Sequence, residues 1–245
     1  MHPALAFTAH RPWPLPLKWW TWRQSWLDLA FIHYRIAPEK LRPLLPARLR
    51  LQKFDGSAWV GLVPFRMARV GPRLLPEFAV LPDFPELNLR TYVEFDGKPG
   101  VWFFSLDADC RPAVFGGRHL YALPYFSADM RQERHGDGFR FSSMRRADGI
   151  RFAGDYRPHG AIHFAQPGTF EHWATERYCL YAHSPRSGLT RVDVHHAPWP
   201  LQAAAVEIAA CGILSAAGIS PDDDPPRCHF SPGVDVVSFD KERLG

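Results

Sequence analysis

A chain of 245 residues that is 46% hydrophobic and 14% aromatic has enough apolar material for one large core, which excludes an intrinsically disordered protein. The net charge of +4 comes from 24 Arg and 5 Lys against 25 acidic residues. The arginines are scattered and accompany no finger, helix-turn-helix or RNP pattern, so nucleic-acid binding is not expected.

Residues 1–26 form a Pro- and Trp-rich arm, expected to pack onto the body because exposing so many indoles is costly. Its few basic residues give no membrane-binding face. Leu27 to Ile36 reads as a strand, and Pro38 to Leu45 as a short helix with Pro in its first turn, Leu41, Leu44 and Leu45 on one face and Pro46 helping to end it. Arg48–Phe54 and Ala58–Val70 read as a hairpin across Asp55-Gly56. Asp96-Gly97, Asp137-Gly138 and Asp148-Gly149 repeat that turn signal, which makes an antiparallel β architecture the leading expectation. Residues 71–85 read as a Pro-rich loop of lid length.

Leu87 to Phe95 alternates strictly. Leu87, Leu89, Thr91, Val93 and Phe95 take one face; Glu86, Asn88, Arg90, Tyr92 and Glu94 take the other, which faces either solvent or a wet interior. Val101–Leu106 is apolar throughout and reads as a central strand. Gly116 to Tyr125 fits neither strand nor helix cleanly. Tyr125–Glu133 and Phe139–Arg146 pair across Asp137-Gly138, and Ile150–Tyr156 follows as a strand. Residues 158–168 read as a loop; Trp173–Ala182 and Leu189–His195 read as strands. Leu201 to Ala217 reads as the one long helix, Ala-rich, opened by Pro200 and closed by Gly218. Val234–Phe239 is the last strand. No repeat or linker divides the chain, so residues 1–245 are expected to form a single domain.

No apolar run reaches the ~18 residues of a membrane span. Cys110, Cys179, Cys211 and Cys228 include no C-x-x-C pair, and the N-terminal residues show no basic-then-apolar signal pattern, so reduced thiols in the cytoplasm are expected. Exposed strand edges and an apolar helix favour self-association. The histidine pairs lack a third ligand at metal spacing, G-x-S-x-G is absent, and Gly116-Gly117 lacks the Lys-Ser/Thr of a phosphate loop. No metal or cofactor is therefore expected. What remains is Arg35, Glu86, Arg118 and Tyr125. An arginine on an apolar strand face needs a carboxylate or an anionic ligand, so these residues form either a ligand site or an internal Arg–Glu pair that pins strands together.

At these residues the chain resembles the acetoacetate decarboxylase superfamily. Gly117-Arg118-His119 followed by Ala122-Leu123-Pro124-Tyr125 stands where that family has its Gly-Arg-Glu and Gly-aromatic-Pro-Lys segments. Glu86 matches its pocket glutamate; Tyr34-Arg35 before Leu41–Pro46 matches its early arginine. A more extensive resemblance is to the bacterial YqjF-like family of unknown function. It rests on Asp55–Gly61, Glu86–Val93, Gly100–Leu106, Arg118–Tyr125, Glu176–Tyr181 and Trp199–Gln202. The resemblance implies a mainly β (α+β) fold, a cone-shaped antiparallel β-barrel, with Arg35, Glu86, Asn88, Arg118 and Tyr125 at an interior pocket. Tyr125 stands in place of the Schiff-base lysine, and a phenol forms no imine. Amine-based decarboxylation is thereby excluded. The expected function is a pocket for a small carboxylate or carbonyl compound, with Glu86 as general base and Tyr125 as hydrogen-bond donor in non-covalent enolisation or lyase chemistry. A non-catalytic binding barrel and a scaffold with a buried Arg35–Glu86 pair are the alternatives.

Overall fold

The computed structural model describes residues 2–75 and 81–245. Strands dominate: β1 (Trp20–Ile36), β2 (Arg50–Leu51), β3 (Ala58–Pro72), β4 (Phe84–Phe95), β5 (Lys98–Ala108), β6 (Tyr125–His135), β7 (Gly138–Arg145), β8 (Arg151–Phe164), β9 (Cys179–Ser184), β10 (Gly188–His196), β11 (Pro200–Cys211), β12 (Arg227–Phe239) and β13 (Glu242–Arg243). Between them lie short helices α1 (Pro38–Leu41), α2 (Arg111–Tyr121), α3 (Phe170–Thr175) and α4 (Ile213–Ala216). Residues 76–80, in the middle of the expected 71–85 loop, fall outside the described residues.

The strands form one 13-stranded sheet whose pairings close on themselves. From β10 the ladder runs through β9, β5, β4, β3, β1 and β12, and returns to β10. A second circuit leaves β5 through β6, β7, β8 and β11 and rejoins at β12. The strands common to both circuits have protein on either side, so every residue of β4 from Glu86 to Val93 is buried. On one side Ile32, Leu62, Leu87 and Leu89 pack with Phe141 and Phe152. On the other, Leu29, Phe31, Phe65 and Met67 face the interior of the first circuit.

Two local devices set which side chains face that interior. Asp28 takes a left-handed backbone (φ 55°), and β1 carries one extra residue against β3 there. The side-chain alternation therefore flips, so Trp22, Gln24 and Trp26 share a face with Leu29 and Phe31. Arg69 (φ 53°) does the same in β3, putting Val70 on the face of Phe65 and Met67. β5 and β6 are parallel, and parallel neighbours need a crossover connection. The crossover is α2, with Pro112 near its start and a left-handed Ala122 (φ 57°) at its end.

Several expectations are corrected. Leu201–Ala217 is not a long helix: its first part is β11, and only α4 is helical. Pairing with β8 and β12 overrides the helix propensity of its alanines, and Ala204, Val206 and Ile208 pack on the core at a period of two. Trp173 belongs to α3 rather than to a strand, and β8 continues through residues 158–164, which were expected to be a loop. Residues 116–121 complete a helix. The third hairpin turns at Gly136-Asp137, one residue early, because Gly136 (φ 61°) supplies the first central position. The short helix after β1 is present as α1 with a following 3-10 turn, Arg42–Leu44.

Candidate functional site

The first circuit encloses a cavity of about 230 Å³. This lies just below the ~300 Å³ at which drug-sized ligand pockets begin, so it suits a small molecule. Its walls are apolar and aromatic, among them Trp26, Phe31, Phe65, Phe103, Val194 and Trp199. Helix α2 closes one end with Pro112, Ala113, Gly116, Gly117, Leu120 and Tyr121. Beyond the other end, Trp59, Tyr92, Phe170 and Trp173 form an aromatic plug, packed at tilted angles with centroids 4.5–5.9 Å apart.

Glu86 and Tyr125 meet inside this wall. Glu86 lies on β4 opposite Ala108 of β5, and Tyr125 opens β6 opposite Leu106 of the same strand. The Tyr125 hydroxyl reaches past β5 and donates to Glu86 Oε2 at 3.1 Å. Glu86 is 1% exposed. Burial pushes its carboxyl up to about 8; the Tyr125 hydrogen bond opposes this rise and the charge of Asp107 adds to it. Burial first, then the charge of Glu86, lifts the Tyr125 phenol well above its ordinary value. Gly117 makes the arrangement possible: a Cβ there would stand 2.3 Å from the Tyr125 ring, so α2 can lie against Tyr125 only where no side chain intervenes.

Asn88 and Arg90 continue the Glu86 face of β4 into the cavity. Arg177 enters from the segment between α3 and β9. The Asn88 Oδ1, Arg90 Nε and Arg177 Nε and Nη2 atoms are buried with no hydrogen-bond partner. His196, also lining the cavity, has its pKa lowered by burial, which favours the neutral ring. Among the described residues no group of three or more His, Cys, Asp or Glu is arranged to hold a metal ion, and none of the five lysines lines the cavity.

Of the residues singled out from sequence, Glu86, Asn88 and Tyr125 line the cavity; Arg35 and Arg118 do not. Arg35 is on the same strand face as Leu29 and Phe31 but six residues past Leu29, roughly 20 Å along the strand. There it pairs with Asp224 at 3.2 Å and lies over Trp59, on the far side of the aromatic plug. The Arg35–Glu86 pair is thus corrected: depth along the strand, not choice of face, separates them. Arg118 is exposed at the surface end of α2, where its Nε donates to the Tyr125 carbonyl at 2.6 Å. The cavity residues given no role in the sequence reading include Arg90, Arg177, Trp26 and Trp199. Arg177 was hidden because residues 173–182 read as one strand; its motif, Glu176-Arg177-Tyr178, was visible but its direction was not.

The comparisons with known proteins agree with this architecture. A Bacillus subtilis (strain 168) protein, "Uncharacterized protein YqjF", is 42% identical over 219 residues, covering 89% of this chain and 90% of its own. Among solved structures, the Legionella pneumophila acetoacetate decarboxylase superposes with a TM-score of 0.63 at 15% identity, covering 97% of this chain and 93% of that one. The enduracididine biosynthesis enzyme MppR complexed with pyruvate gives 0.66 at 16% identity, with the same coverage. Both structural likenesses speak for a shared acetoacetate-decarboxylase-like fold. The model of DUF2071, described as "Uncharacterized conserved protein", matches residues 23–235, and the chain belongs to that family.

Proposed function

We propose that the cavity binds a small carbonyl or carboxylate compound and moves a proton on it without a covalent intermediate, in an enolisation or lyase reaction. One observation carries this reading. A fully buried carboxyl with its pKa near neutrality faces an apolar cavity and is held by a phenol at 3.1 Å. Such a group is matched to general acid–base work at neutral pH. In its ionised fraction Glu86 takes a proton from the carbon beside a carbonyl; Tyr125 donates to the oxygen on which charge develops. With no lysine among the lining residues, an imine has no amine to form from. The unpaired cysteines suit a reducing, cytoplasmic setting.

The test is hydrogen–deuterium exchange, followed by NMR in heavy water with a panel of small ketones and oxo acids. Exchange beside the carbonyl of at least one panel member is expected, rising with pH through about 8 as Glu86 ionises. Glu86→Gln should slow it by roughly 100-fold or more. Background exchange throughout the panel, or an unchanged rate in Glu86→Gln, sinks the reading. A non-catalytic binding pocket is the second reading. It is favoured by the Glu86–Tyr125 hydrogen bond itself, which occupies both groups with each other.

A further inference from the structure

Two guanidinium groups converge at the inner end of the cavity. The Arg90 and Arg177 Cζ atoms lie 5.8 and 5.0 Å from the centroid of one ring, Tyr92. Arg90 Nη2 donates to the Ala174 carbonyl at 3.3 Å, and Arg177 Nη1 donates to Gln52 Oε1. Their remaining buried donors, Arg90 Nε and Arg177 Nε and Nη2, meet no acceptor. Elsewhere in the interior, buried arginines are matched with acids: Arg145 with Asp107 at 2.9 Å, Arg191 with Asp193 at 3.0 Å, Arg11 with Asp193 at 3.8 Å. Among the described residues Arg90 and Arg177 have no such partner, although they are 8% and 6% exposed. Burial, with the charge of Arg90 adding to it, brings Arg177 down to about 10, which leaves it cationic at neutral pH. Leaving buried charge unpaired costs several kcal/mol per ion unless something anionic arrives.

We propose that this end of the cavity is a carboxylate-binding subsite built from Arg90 and Arg177, and that the ligand is an acid whose carboxylate is remote from the carbon facing Glu86. The inference rests on the cavity being a ligand site and adds the class of ligand. Glu86 and Arg90 are four residues apart on one strand, ~13 Å. The guanidinium contact with Tyr92 carries the cationic end further still from Glu86. An α- or β-oxo acid, with its two functional groups within two carbons of each other, is too short to touch both ends. Between the ends the wall is mostly apolar, with Leu29, Phe31, Val101, Phe103, Val192 and Val194, and Asn88 is the polar interruption on β4 between Glu86 and Arg90. The fitting ligand has a slender apolar body, as a medium-chain or arylalkyl acid does, with any carbonyl toward Glu86 and the carboxylate between the arginines. The bidentate geometry of guanidinium and carboxylate makes arginine the right residue for that end.

Isothermal titration calorimetry with straight-chain carboxylates from butanoate to decanoate, and with the primary alcohols of equal length, tests this. Octanoate is expected to bind at least tenfold more tightly than butanoate and at least tenfold more tightly than octanol. Arg90→Gln and Arg177→Gln should each weaken octanoate at least tenfold while leaving octanol unchanged. Acids and alcohols binding alike, no acid binding at all, or octanoate held equally by folded arginine variants each overturn the proposal. If the variants do not fold, the acid–alcohol comparison on the unsubstituted chain decides it. Setting acid binding beside the carbonyl-exchange assay separates the two readings. Octanoate bound by the arginines without any carbonyl exchange removes the proton-transfer function and keeps this subsite. Exchange on neutral ketones without acid binding does the reverse.

Discussion

Glu86 carries its proton at neutral pH because its surroundings disfavour the anion, and this ties the carboxyl to folding as well as to chemistry. In the unfolded chain the group titrates near 4.5; in the folded chain it titrates near 8. Below 4.5 both states hold the proton and Glu86 adds no pH dependence. Between the two values the folded state binds more protons, so stability falls as pH rises, and the loss is complete above about 8. With 1.36 kcal/mol per unit, the fall is on the order of a few kcal/mol. Thermal unfolding from pH 5 to 8.5 should show this decline in the unsubstituted protein and a flatter curve in Glu86→Gln. An identical slope in the two would assign the pH dependence to other groups. The cost is the counterpart of a poised acid: a solvated glutamate would spare the stability and lose the near-neutral pKa.

At the scale of the element, the strand β1 shows how one residue sets the lining of the cavity. Asp28 accommodates a left-handed backbone and shifts the alternation, bringing Trp22, Gln24 and Trp26 inward. Its carbonyl also accepts from Gln132 at 3.0 Å and Tyr156 at 2.8 Å. Asp28→Gly keeps the backbone geometry and loses only the part-exposed pair with Arg66, so a change of about 1 kcal/mol or less is expected. Deleting residue 28 turns the outer half of β1 over and should abolish cooperative unfolding by circular dichroism. Equal melting curves for the two variants would refute the role given to this bulge. Elements of this kind also mark how far the sequence was legible. Period-two alternation placed Glu86, Asn88 and Arg90 on one face of β4, and Asp96-Gly97 located the β4–β5 hairpin. Asp55-Gly56 marks a tight turn closed by a single Phe54–Ser57 bridge and not the expected hairpin, because β2 is only Arg50–Leu51 and pairs with β4. Strand β11 was misread because alanine favours helices locally, whereas two neighbouring strands claimed its backbone from a distance. Arg35 was placed on the right face and at the wrong depth, since alternation gives direction but not distance from a cavity. Arg177 needed the direction of a loop, which no local pattern encodes.

Across the whole molecule, two closed circuits of strands share a wall, and the buried Arg145–Asp107 pair sits near their junction. Asp107 is on β5, Arg145 ends β7, and Arg145 Nε reaches both carboxylate oxygens at 2.9 Å. Arg145→Met leaves Asp107 enclosed and unpaired, with an expected loss of about 3–5 kcal/mol in urea unfolding. A loss below 1 kcal/mol would mean that the junction does not depend on this pair. The same enclosed geometry has an optical consequence. Trp26 and Trp199 stack at 6.0 Å on the cavity wall, and the Trp26 indole N–H has no partner. A ligand seated against them would replace an empty boundary with polarisable matter and offer that N–H an acceptor. Intrinsic fluorescence of the unlabelled chain therefore reports occupancy directly, so a library of candidate compounds can be screened before any substrate is known.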